Sequence, residues 1–515
     1  MLLTRVPLFF VSVVLIAQAP AQMDAWVARA MREFEVPGIA IAIVKDGQVV
    51  AAKGYGVRKL GSPALVDEHT LFGIASNTKA FTTAALAILV DEGKLSWDDP
   101  VIRHLPGFAM YDPYVTRELS VRDLVSHKTG LGLGAGDLMY WPDTNFTRDQ
   151  VLASAKAIQP ASSFRSTYAY NNNMFVVAGE VIRAVSGKPY EEFIRERIFL
   201  PVGMAEARMT NIGLSESNNT AVPHSRGWRL EGTLKAIPWT RDDVWSPAAG
   251  VKANVTDLAK WMIVQIAQGE ITPGGKRLFS QRASRQMWSM QTVTPVGQAP
   301  PELAAAQAQF GGYGLGWSIK DYRGHKVVSH GGGLTGMVTQ TTILPQLKLG
   351  IVVLTNQEEG GALQALTNQL IDHYLSADAP DWTAVIKANT LKQRIRQNER
   401  EKKAIAARAH DTQPSLPLAG YVADYRDAWY GLATLESSGA QLRLRMRQTP
   451  AMQGRLEHWH YNTFVARWDD ATIPDAYVTF AFDAQGKITG MKMEAVSDLA
   501  DFSFDFQDLN FKRSY

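Results

Sequence analysis

The chain has 515 residues, of which 46% are hydrophobic, and it carries a formal net charge of only +3 at pH 7. This length suggests two or three domains with a sizeable core. A charge so near balance argues against a nucleic-acid-binding protein, which would show a concentrated basic patch. Cysteine is absent, which excludes disulfides and thiolate zinc sites.

The first 22 residues have the pattern of a secretory signal peptide. Arg5 supplies a positive start, residues 6–17 are mostly apolar, and small residues at 17–21 offer cleavage sites. The apolar run is too short for a comfortable membrane span, although an uncleaved N-terminal anchor is the alternative. Because a large core can replace disulfides in an exported chain, we expect secretion to a bacterial periplasm, with no stable membrane insertion after processing.

Residues 23–376 are expected to form one α/β (α+β) domain. The patterns predict a helix at 23–34, a hairpin at 39–55 and a buried helix at 71–90. Strand patterns resume at 313–319, 326–329, 337–344 and 350–355, and a helix at 363–375 closes the segment. Because strands both open and close this segment, we predict a central antiparallel sheet built from its two ends and flanked by helices.

The composition changes after residue 376. Residues 377–417 contain a charged helix pattern between two proline-containing stretches, which predicts a helical linker. Residues 418–515 carry short alternating patterns, which predict a separate all-β domain, a small barrel or sandwich. Its predicted strands lie at 431–436, 441–446, 463–468, 477–482 and 488–494. We expect this domain to pack near the first one and to narrow access to its cleft.

Ser76 and Lys79 are the centre of the candidate site. Side chains three residues apart share one face of a helix, so the serine hydroxyl and the lysine amine can meet. Serine is a weak nucleophile until a base removes its proton, and burial at a helix N-terminus can lower the lysine pKa from about 10.4 until it serves as that base. The pattern alone is weak, because an exposed serine and lysine on an ordinary helix also produce it.

Two further motifs follow along the chain, Tyr170-Asn171-Asn172 before an apolar helix and His330-Gly331-Gly332 after a strand. With the Ser-x-x-Lys tetrad they resemble the S-x-x-K, Y-x-N and K/H-x-G motifs of the serine β-lactamase and penicillin-binding-protein superfamily. The resemblance covers residues 23–376 and is closest to the class C β-lactamase-like group of D,D-carboxypeptidases, D-aminopeptidases and esterases. It implies a β-lactamase-like catalytic domain, here followed by an added C-terminal β-domain.

The resemblance implies a role for each motif residue. Ser76 would attack a carbonyl carbon and form an acyl-enzyme, and Lys79 and Tyr170 would share the general-base and proton-shuttle work. Nearby cations could lower the pKa of Tyr170 from about 10. Asn172 would hydrogen-bond Lys79 and a substrate amide. Tyr168 is the alternative base, because the register of this motif is ambiguous.

The third motif would supply the substrate-binding side. His330 and Gly332 would line the cleft on an edge strand, and the oxyanion hole would consist of the backbone N–H groups of Ser76 and Gly333. His330 stands where many β-lactamases have lysine, and a neutral imidazole is a poorer counter-charge for a substrate carboxylate. This departure weakens the case for β-lactam hydrolysis and leaves peptide or ester substrates open.

The resemblance therefore implies a serine hydrolase that acts through an acyl-enzyme on small amide, peptide or ester substrates. A β-lactamase is one alternative, and a penicillin-binding or sensor protein that is acylated without turnover is another. Ser-Lys-Tyr chemistry needs no metal or organic cofactor, so none is expected. The expected partner is a small-molecule or short-peptide substrate, and the oligomeric state is left open.

Three other patterns have competing interpretations. The run from His330 to Gly333 would suit a lipase-type oxyanion loop, but the G-x-S-x-G elbow that must follow is absent from the sequence. His127 could serve as a base, although a loop histidine that binds backbone groups is the simpler interpretation. His458 and His460 share one strand face and could bind a metal, but without an evident third ligand a structural role is simpler.

Overall fold

The computed structural model describes residues 18–228, 232–272, 274–439 and 441–514. The positive start and the apolar run of the predicted signal peptide, residues 1–17, lie outside the described residues. Among the helices described, none combines the length and the apolar character that crossing a membrane requires.

The strands of the N-terminal part of the chain are mostly short. In chain order they are β1 (Gly38–Lys45), β2 (Gln48–Gly56), β3 (Phe72–Gly73), β4 (His224–Ser225), β5 (Lys235–Ala236), β6 (Lys252–Ala253), β7 (Thr292–Val293), β8 (Gly311–Tyr313), β9 (Ser318–Tyr322), β10 (His325–Leu334), β11 (Met337–Leu344) and β12 (Leu349–Thr355). Within the described ranges, eight of these strands form one sheet in the order β2-β1-β12-β11-β10-β9-β8-β7.

The sheet joins the two ends of the segment. β1 pairs antiparallel with β12, so that Ala42 lies opposite Val352, and this confirms the predicted sheet. The prediction of one strand at 313–319 is wrong. The chain turns between β8 and β9 at Gly316, which has φ 74°, because a hairpin there returns the strand along the sheet edge.

Helices cover both faces of the sheet. They are α1 (Met23–Phe34), α2 (Thr78–Asp91), α3 (Val101–His104), α4 (Pro113–Glu118), α5 (Val121–Leu124), α6 (Arg148–Ser154), α7 (Asn173–Ser186), α8 (Tyr190–Ile194), α9 (Leu200–Val202), α10 (Ser246–Ala249), α11 (Val255–Ile266), α12 (Gln281–Met287), α13 (Gly361–Leu375) and α14 (Trp382–Ala406). The isoleucines of β1 pack in one core with α1 and α13, whereas the alternate residues Ala40, Ala42 and Val44 belong to the core of the helical lobe. The strand is therefore apolar on both faces.

Helix α2 runs through the centre of the helical lobe. Its residues 78–89 are all buried, as expected for a helix that is apolar all round. The predicted helix at 71–90 begins later than expected, because residues 72–73 form β3 and Ala75–Asn77 form a 3-10 turn. Ala75 has φ 49°, and this left-handed residue separates the strand from the helix.

The C-terminal part is a closed barrel. Its strands are β13 (Ala423–Asp427), β14 (Gly431–Ser438), β15 (Gln441–Met446), β16 (Gln453–His460), β17 (Thr463–Trp468), β18 (Ala476–Phe482), β19 (Ile488–Ala495) and β20 (Asn510–Arg513). They pair in sequence order, and β20 closes on β13. The barrel prediction is confirmed. β13 and β20 were not predicted as strands, and β16 was predicted only around His458 and His460.

The barrel packs directly against the helical lobe, and their buried apolar residues form one continuous cluster. The rings of Phe146 and Tyr430 meet edge to face, with centroids 5.7 Å apart. The backbone N–H of Asn145 donates to the carbonyl of Gln448 at 2.7 Å. The loops that precede β14 and β16 therefore lie against the lobe that carries the candidate site.

Candidate active site

Ser76 lies in the 3-10 turn that leads into α2. It is partly accessible, whereas the neighbouring residues 71–75 and 77–89 are buried. Thr339 of β11 fixes the turn, since its hydroxyl donates to the Ile74 carbonyl at 3.0 Å and accepts from Asn77 Nδ2 at 2.9 Å. The fold thus presents one hydroxyl at the end of a buried helix.

Lys79 is fully buried and has three hydrogen-bond partners. Its Nζ donates to Ser76 Oγ at 3.0 Å, to Asn172 Oδ1 at 2.6 Å and to the Ala248 carbonyl at 3.0 Å. Burial lowers the pKa of Lys79 to about 7, although the Asp137 carboxylate opposes this shift. Near neutral pH both the ammonium and the free amine are therefore populated.

The three partners determine where the lone pair of a neutral Lys79 points. The Asn172 and Ala248 oxygens can only accept hydrogen bonds, so each requires an N–H from Lys79. Ser76 Oγ is the partner that can donate instead. When Lys79 loses a proton, its lone pair therefore faces the serine hydroxyl, which is the arrangement that a general base requires.

The ring centroid of Tyr170 lies 4.7 Å from Lys79 Nζ. Burial raises the pKa of Tyr170 well above 10, and the nearby Tyr168 and Asp137 raise it further. The expectation that cations lower this pKa is therefore wrong, because desolvation dominates. Tyr170 is therefore a neutral phenol, which can accept one hydrogen bond while it donates another and so can relay a proton.

Asn172 connects Lys79 to a buried carboxylate. While its Oδ1 accepts from Lys79, its Nδ2 donates to Asp137 Oδ2 at 2.7 Å. The flanking Asn171 and Asn173 both donate to the Ala135 carbonyl, at 3.0 and 2.9 Å. Of the three consecutive asparagines that made the register of the second motif ambiguous, Asn172 is therefore the one that bonds the lysine.

His330 lies on β10 and is buried. Its Nδ1 lies 2.6 Å from the Gly331 carbonyl and its Nε2 lies 2.9 Å from the Tyr313 hydroxyl. Nδ1 therefore carries the proton and Nε2 accepts from the tyrosine. Burial lowers the pKa of His330 to about 3, and the charge of Lys79 adds to the shift. At neutral pH this imidazole has no charge to offer a substrate carboxylate.

The glycines after His330 allow β10 to approach the Ser76 turn. A Cβ on Gly332 would lie 2.2 Å from the Ile74 carbonyl oxygen, which is too close for any side chain. Gly333 is exposed, and a Cβ there would meet no atom within 4 Å. Open space therefore adjoins the strand where the second oxyanion donor was expected.

His127 lies under the site without contacting Ser76. It accepts a hydrogen bond from the Asn171 backbone N–H at 3.1 Å, and its ring lies 4.2 Å from that of Tyr170 and 4.4 Å from that of Tyr313. Burial lowers the pKa of His127 well below 6.5, and the charge of Lys79 adds to this. The geometry favours the backbone-binding interpretation over the catalytic base.

His458 and His460 have separate partners in the barrel. His458 Nε2 lies 2.9 Å from the Tyr461 carbonyl, and His460 Nδ1 accepts from the Ala409 backbone N–H at 3.4 Å. The first contact lies within the turn between β16 and β17, and the second joins the barrel to the segment after α14, so both histidines have structural contacts.

Sequence reasoning missed Asp137, Tyr313 and the barrel residues near the site. Asp137 follows a glycine-rich loop, and an acid in such a loop is a weak signal that could have singled it out. Ser503 lies 366 residues further along the chain, yet its hydroxyl reaches Asp137 Oδ2 at 2.9 Å. Such a contact depends on how two domains dock, which no local pattern encodes.

Family models cover most of the chain. A model for β-lactamase matches residues 23–376, which are more than half of the 515 residues. A second model, for a domain of unknown function (DUF3471), matches residues 407–513.

Individual relatives agree with this match. The unguisins hydrolase ungD' of Aspergillus campestris (strain IBT 28561) is 28% identical over 435 residues, which cover 79% of this chain and 76% of the relative. The octameric penicillin-binding protein homologue from Pyrococcus abyssi has a TM-score of 0.59 at 22% identity, over 95% of this chain and 99% of its own. The D-stereospecific amidohydrolase from Streptomyces sp. has a TM-score of 0.53 at 22% identity, over 69% and 99%. The two structures show a shared fold.

Proposed function

Since the chain belongs to the β-lactamase family and is a serine hydrolase, we propose that it cleaves small amide or short-peptide substrates through an acyl-enzyme on Ser76. The observation that carries this proposal is the contact of buried Lys79 with Ser76 Oγ at 3.0 Å. A lysine whose pKa lies at about 7 can accept the serine proton at neutral pH.

Acylation begins when Ser76 Oγ attacks the substrate carbonyl carbon and its proton moves to Lys79 Nζ. The N–H groups of Ser76 and Gly333 stabilise the oxyanion, and loss of one such donor costs about 2.7–4 kcal/mol. As the C–N bond breaks, Tyr170 gives its proton to the leaving nitrogen and regains one from Lys79. The amine leaves uncharged, and the acyl group remains on Ser76 Oγ.

Deacylation uses the same groups in reverse. Water attacks the acyl carbon and gives a proton to Lys79, either directly or through Tyr170, which passes its own proton to Lys79 as it accepts one. Lys79 then returns a proton to Ser76 Oγ as this oxygen leaves. The acid product departs, and both the serine hydroxyl and the neutral lysine are restored. In this proposal His330 and Gly332 line the part of the cleft that holds the substrate.

The preference for amides over β-lactams rests on His330 and on the relatives. An uncharged imidazole leaves this strand without the cation that a lysine would offer a substrate carboxylate. One structural neighbour is named a D-stereospecific amidohydrolase, and a sequence relative is named a hydrolase of unguisins. The first name supports an amide bond as the substrate class, and the second supports hydrolysis.

A substrate panel tests the proposal. A D-amino-acid amide, a D-Ala-D-Ala peptide, an aryl ester and a β-lactam are offered to the full chain and to Ser76→Ala, with Ser163→Ala as a control at an exposed serine. We expect sustained turnover of an amide or peptide by the native chain and the control, and none by Ser76→Ala. A single burst without turnover on every substrate would indicate a protein that is acylated but does not hydrolyse. Turnover of the β-lactam alone would indicate a β-lactamase.

We also propose that the chain is exported with removal of its first 22 residues, on the strength of its N-terminal pattern. N-terminal sequencing of the protein recovered from a bacterial periplasm tests this. Recovery from the membrane fraction with Met1 retained would contradict it.

A further inference from the structure

The barrel reaches the candidate site through the loop between β19 and β20. The ring of Phe502 meets that of Tyr170 edge to face, with centroids 5.5 Å apart. A Cβ on Gly134, which has φ 70°, would lie 2.4 Å from the Phe502 carbonyl oxygen. The loop therefore lies against both the tyrosine of the second motif and the glycine-rich segment before Asp137.

Ser503 of this loop binds the carboxylate that supports the lysine. Its hydroxyl donates to Asp137 Oδ2 at 2.9 Å, and the same oxygen accepts from Asn172 Nδ2 at 2.7 Å. The other oxygen, Oδ1, accepts from the Tyr140 hydroxyl at 2.5 Å. Asp137 and Ser503 are both buried, so these donors replace water around the carboxylate.

Asp505 holds the turn that carries Asp137. Its two carboxyl oxygens accept from the backbone N–H groups of Gly136 at 2.6 Å and Leu138 at 3.0 Å. These residues flank Asp137 on both sides, and Asp505 is completely buried. The barrel loop therefore holds this turn by hydrogen bonds to the backbone on both sides of Asp137, in addition to the Ser503 hydrogen bond to the Asp137 side chain.

We propose that Ser503 and Asp505 of the barrel are positioning residues of the active site, which hold Asp137 and, through Asn172, orient Lys79 towards Ser76. The chain of contacts runs from the barrel to the proposed base without a gap. This inference rests on the proposed function, because it assigns a role in the same reaction.

The effect of the contact on proton transfer has a definite sign. Burial raises the pKa of Asp137 to about 7, and hydrogen bonds from Tyr140, Asn172 and Ser503 oppose that rise. Without the Ser503 hydroxyl, Asp137 stays protonated to higher pH and supports the Lys79 ammonium less. Lys79 then loses its proton at lower pH.

Other ionisable groups face the same pair. His127 and His330 lie near Lys79, and both are held neutral by burial. Tyr170 and Tyr140 lie near the carboxylate and stay protonated, because their pKa values are raised well above 10. Burial raises the pKa of Asp505 well above its usual range, and the Asp137 charge adds to this rise. Among these described groups, Asp137 is therefore the one whose charge changes when the Ser503 hydroxyl is removed.

The test compares Ser503→Ala with the native full-length chain, with the pH dependence of kcat/KM for p-nitrophenyl acetate as the readout. We expect the acidic limb of this pH profile to move to lower pH. We also expect kcat/KM at the optimum to fall about fivefold, which is the effect expected from the loss of one hydrogen bond. Ser503→Thr keeps the hydroxyl and should restore the native limb. Asp137→Asn, which removes the charge, should move the limb further in the same direction.

Thr449→Val is the matched control, because Thr449 is another buried barrel hydroxyl, bonded to the Tyr430 hydroxyl at 2.7 Å. It should lower the melting temperature without moving the limb. The inference is overturned if Ser503→Ala folds and the acidic limb of its pH profile is the same as that of the native chain. If Ser503→Ala does not fold, an unchanged acidic limb in Asp137→Asn overturns it. Ser76→Ala separates the two failures, since activity that survives in Ser76→Ala refutes the proposed function itself.

Discussion

Lys79 is the residue on which the proposed chemistry depends. It is fully buried in a helix, and two of its three partners are oxygens that only accept hydrogen bonds. These constraints leave the Ser76 hydroxyl as the group that meets the lone pair of the free amine. The sequence predicted this pair from its three-residue spacing together with the second and third motifs, because a spacing of three brings side chains together at a helix start.

The pH dependence of activity follows from Lys79. Burial lowers its pKa to about 7, so the free amine is populated as the pH rises through that value. We expect kcat/KM for an aryl ester to rise with pH and to level off above an apparent pKa of about 7. A profile that is flat between pH 5 and 9 would contradict the role of Lys79 as the base.

The two tyrosines near the site make a matched pair. The Tyr170 ring centroid lies 4.7 Å from Lys79 Nζ. Burial raises the pKa of both tyrosines, that of Tyr168 to about 12, so both are neutral phenols at pH 7. We expect Tyr170→Phe to lower kcat about a hundredfold, the low end of general acid–base catalysis, with little change in melting temperature. Tyr168→Phe should stay within threefold of the native rate. Equal losses in both variants would mean that packing, and not the Tyr170 hydroxyl, supports the reaction.

At the scale of elements, the site is the contact between the Ser76 turn and β10. The continuous apolar run of β1 helped to predict the sheet, because a strand buried on both faces is apolar at successive positions. They did not predict the 3-10 turn, because the left-handed Ala75 depends on packing against β10 and β11. Sequence also gave the wrong direction for the Tyr170 pKa, since its burial follows from elements that fold around it.

Gly332→Ala tests the contact between β10 and the turn. Its new Cβ would lie 2.2 Å from the Ile74 carbonyl oxygen, so the strand or the turn must move. We expect a melting temperature lower by several degrees, as for an overpacked core site, and a large loss of activity. Gly333→Ala, where the added carbon meets nothing within 4 Å, should keep the native melting temperature. A native melting temperature and rate in Gly332→Ala would contradict this packing.

At the scale of the whole molecule, the catalytic lobe and the barrel share one apolar core. Sequence predicted that the two parts exist and that the second would lie near the cleft. It could not predict which barrel residues approach Asp137, because that contact joins residues 366 positions apart across a docked surface. The barrel therefore contributes a contact next to the proposed site as well as forming a separate domain.

Removing residues 418–515 should destabilise the remaining chain. The cut exposes Phe146, which is 7% accessible in the intact molecule, and it removes the contacts around Asp137. We expect the shortened chain to melt at lower temperature and to lose most of its kcat/KM, measured by circular dichroism and ester hydrolysis. A shortened chain with native stability and rate would show that the two parts work independently.

The identity of the nucleophile is the central claim, and intact-mass analysis of the trapped acyl-enzyme tests it most directly. The native chain and Ser76→Ala are mixed with a slowly released acyl donor and quenched in acid, and the acylated peptide is then mapped. We predict a single acyl group on Ser76 in the native chain and none in the variant. An acyl group on another residue, or equal labelling of Ser76→Ala, would contradict the account.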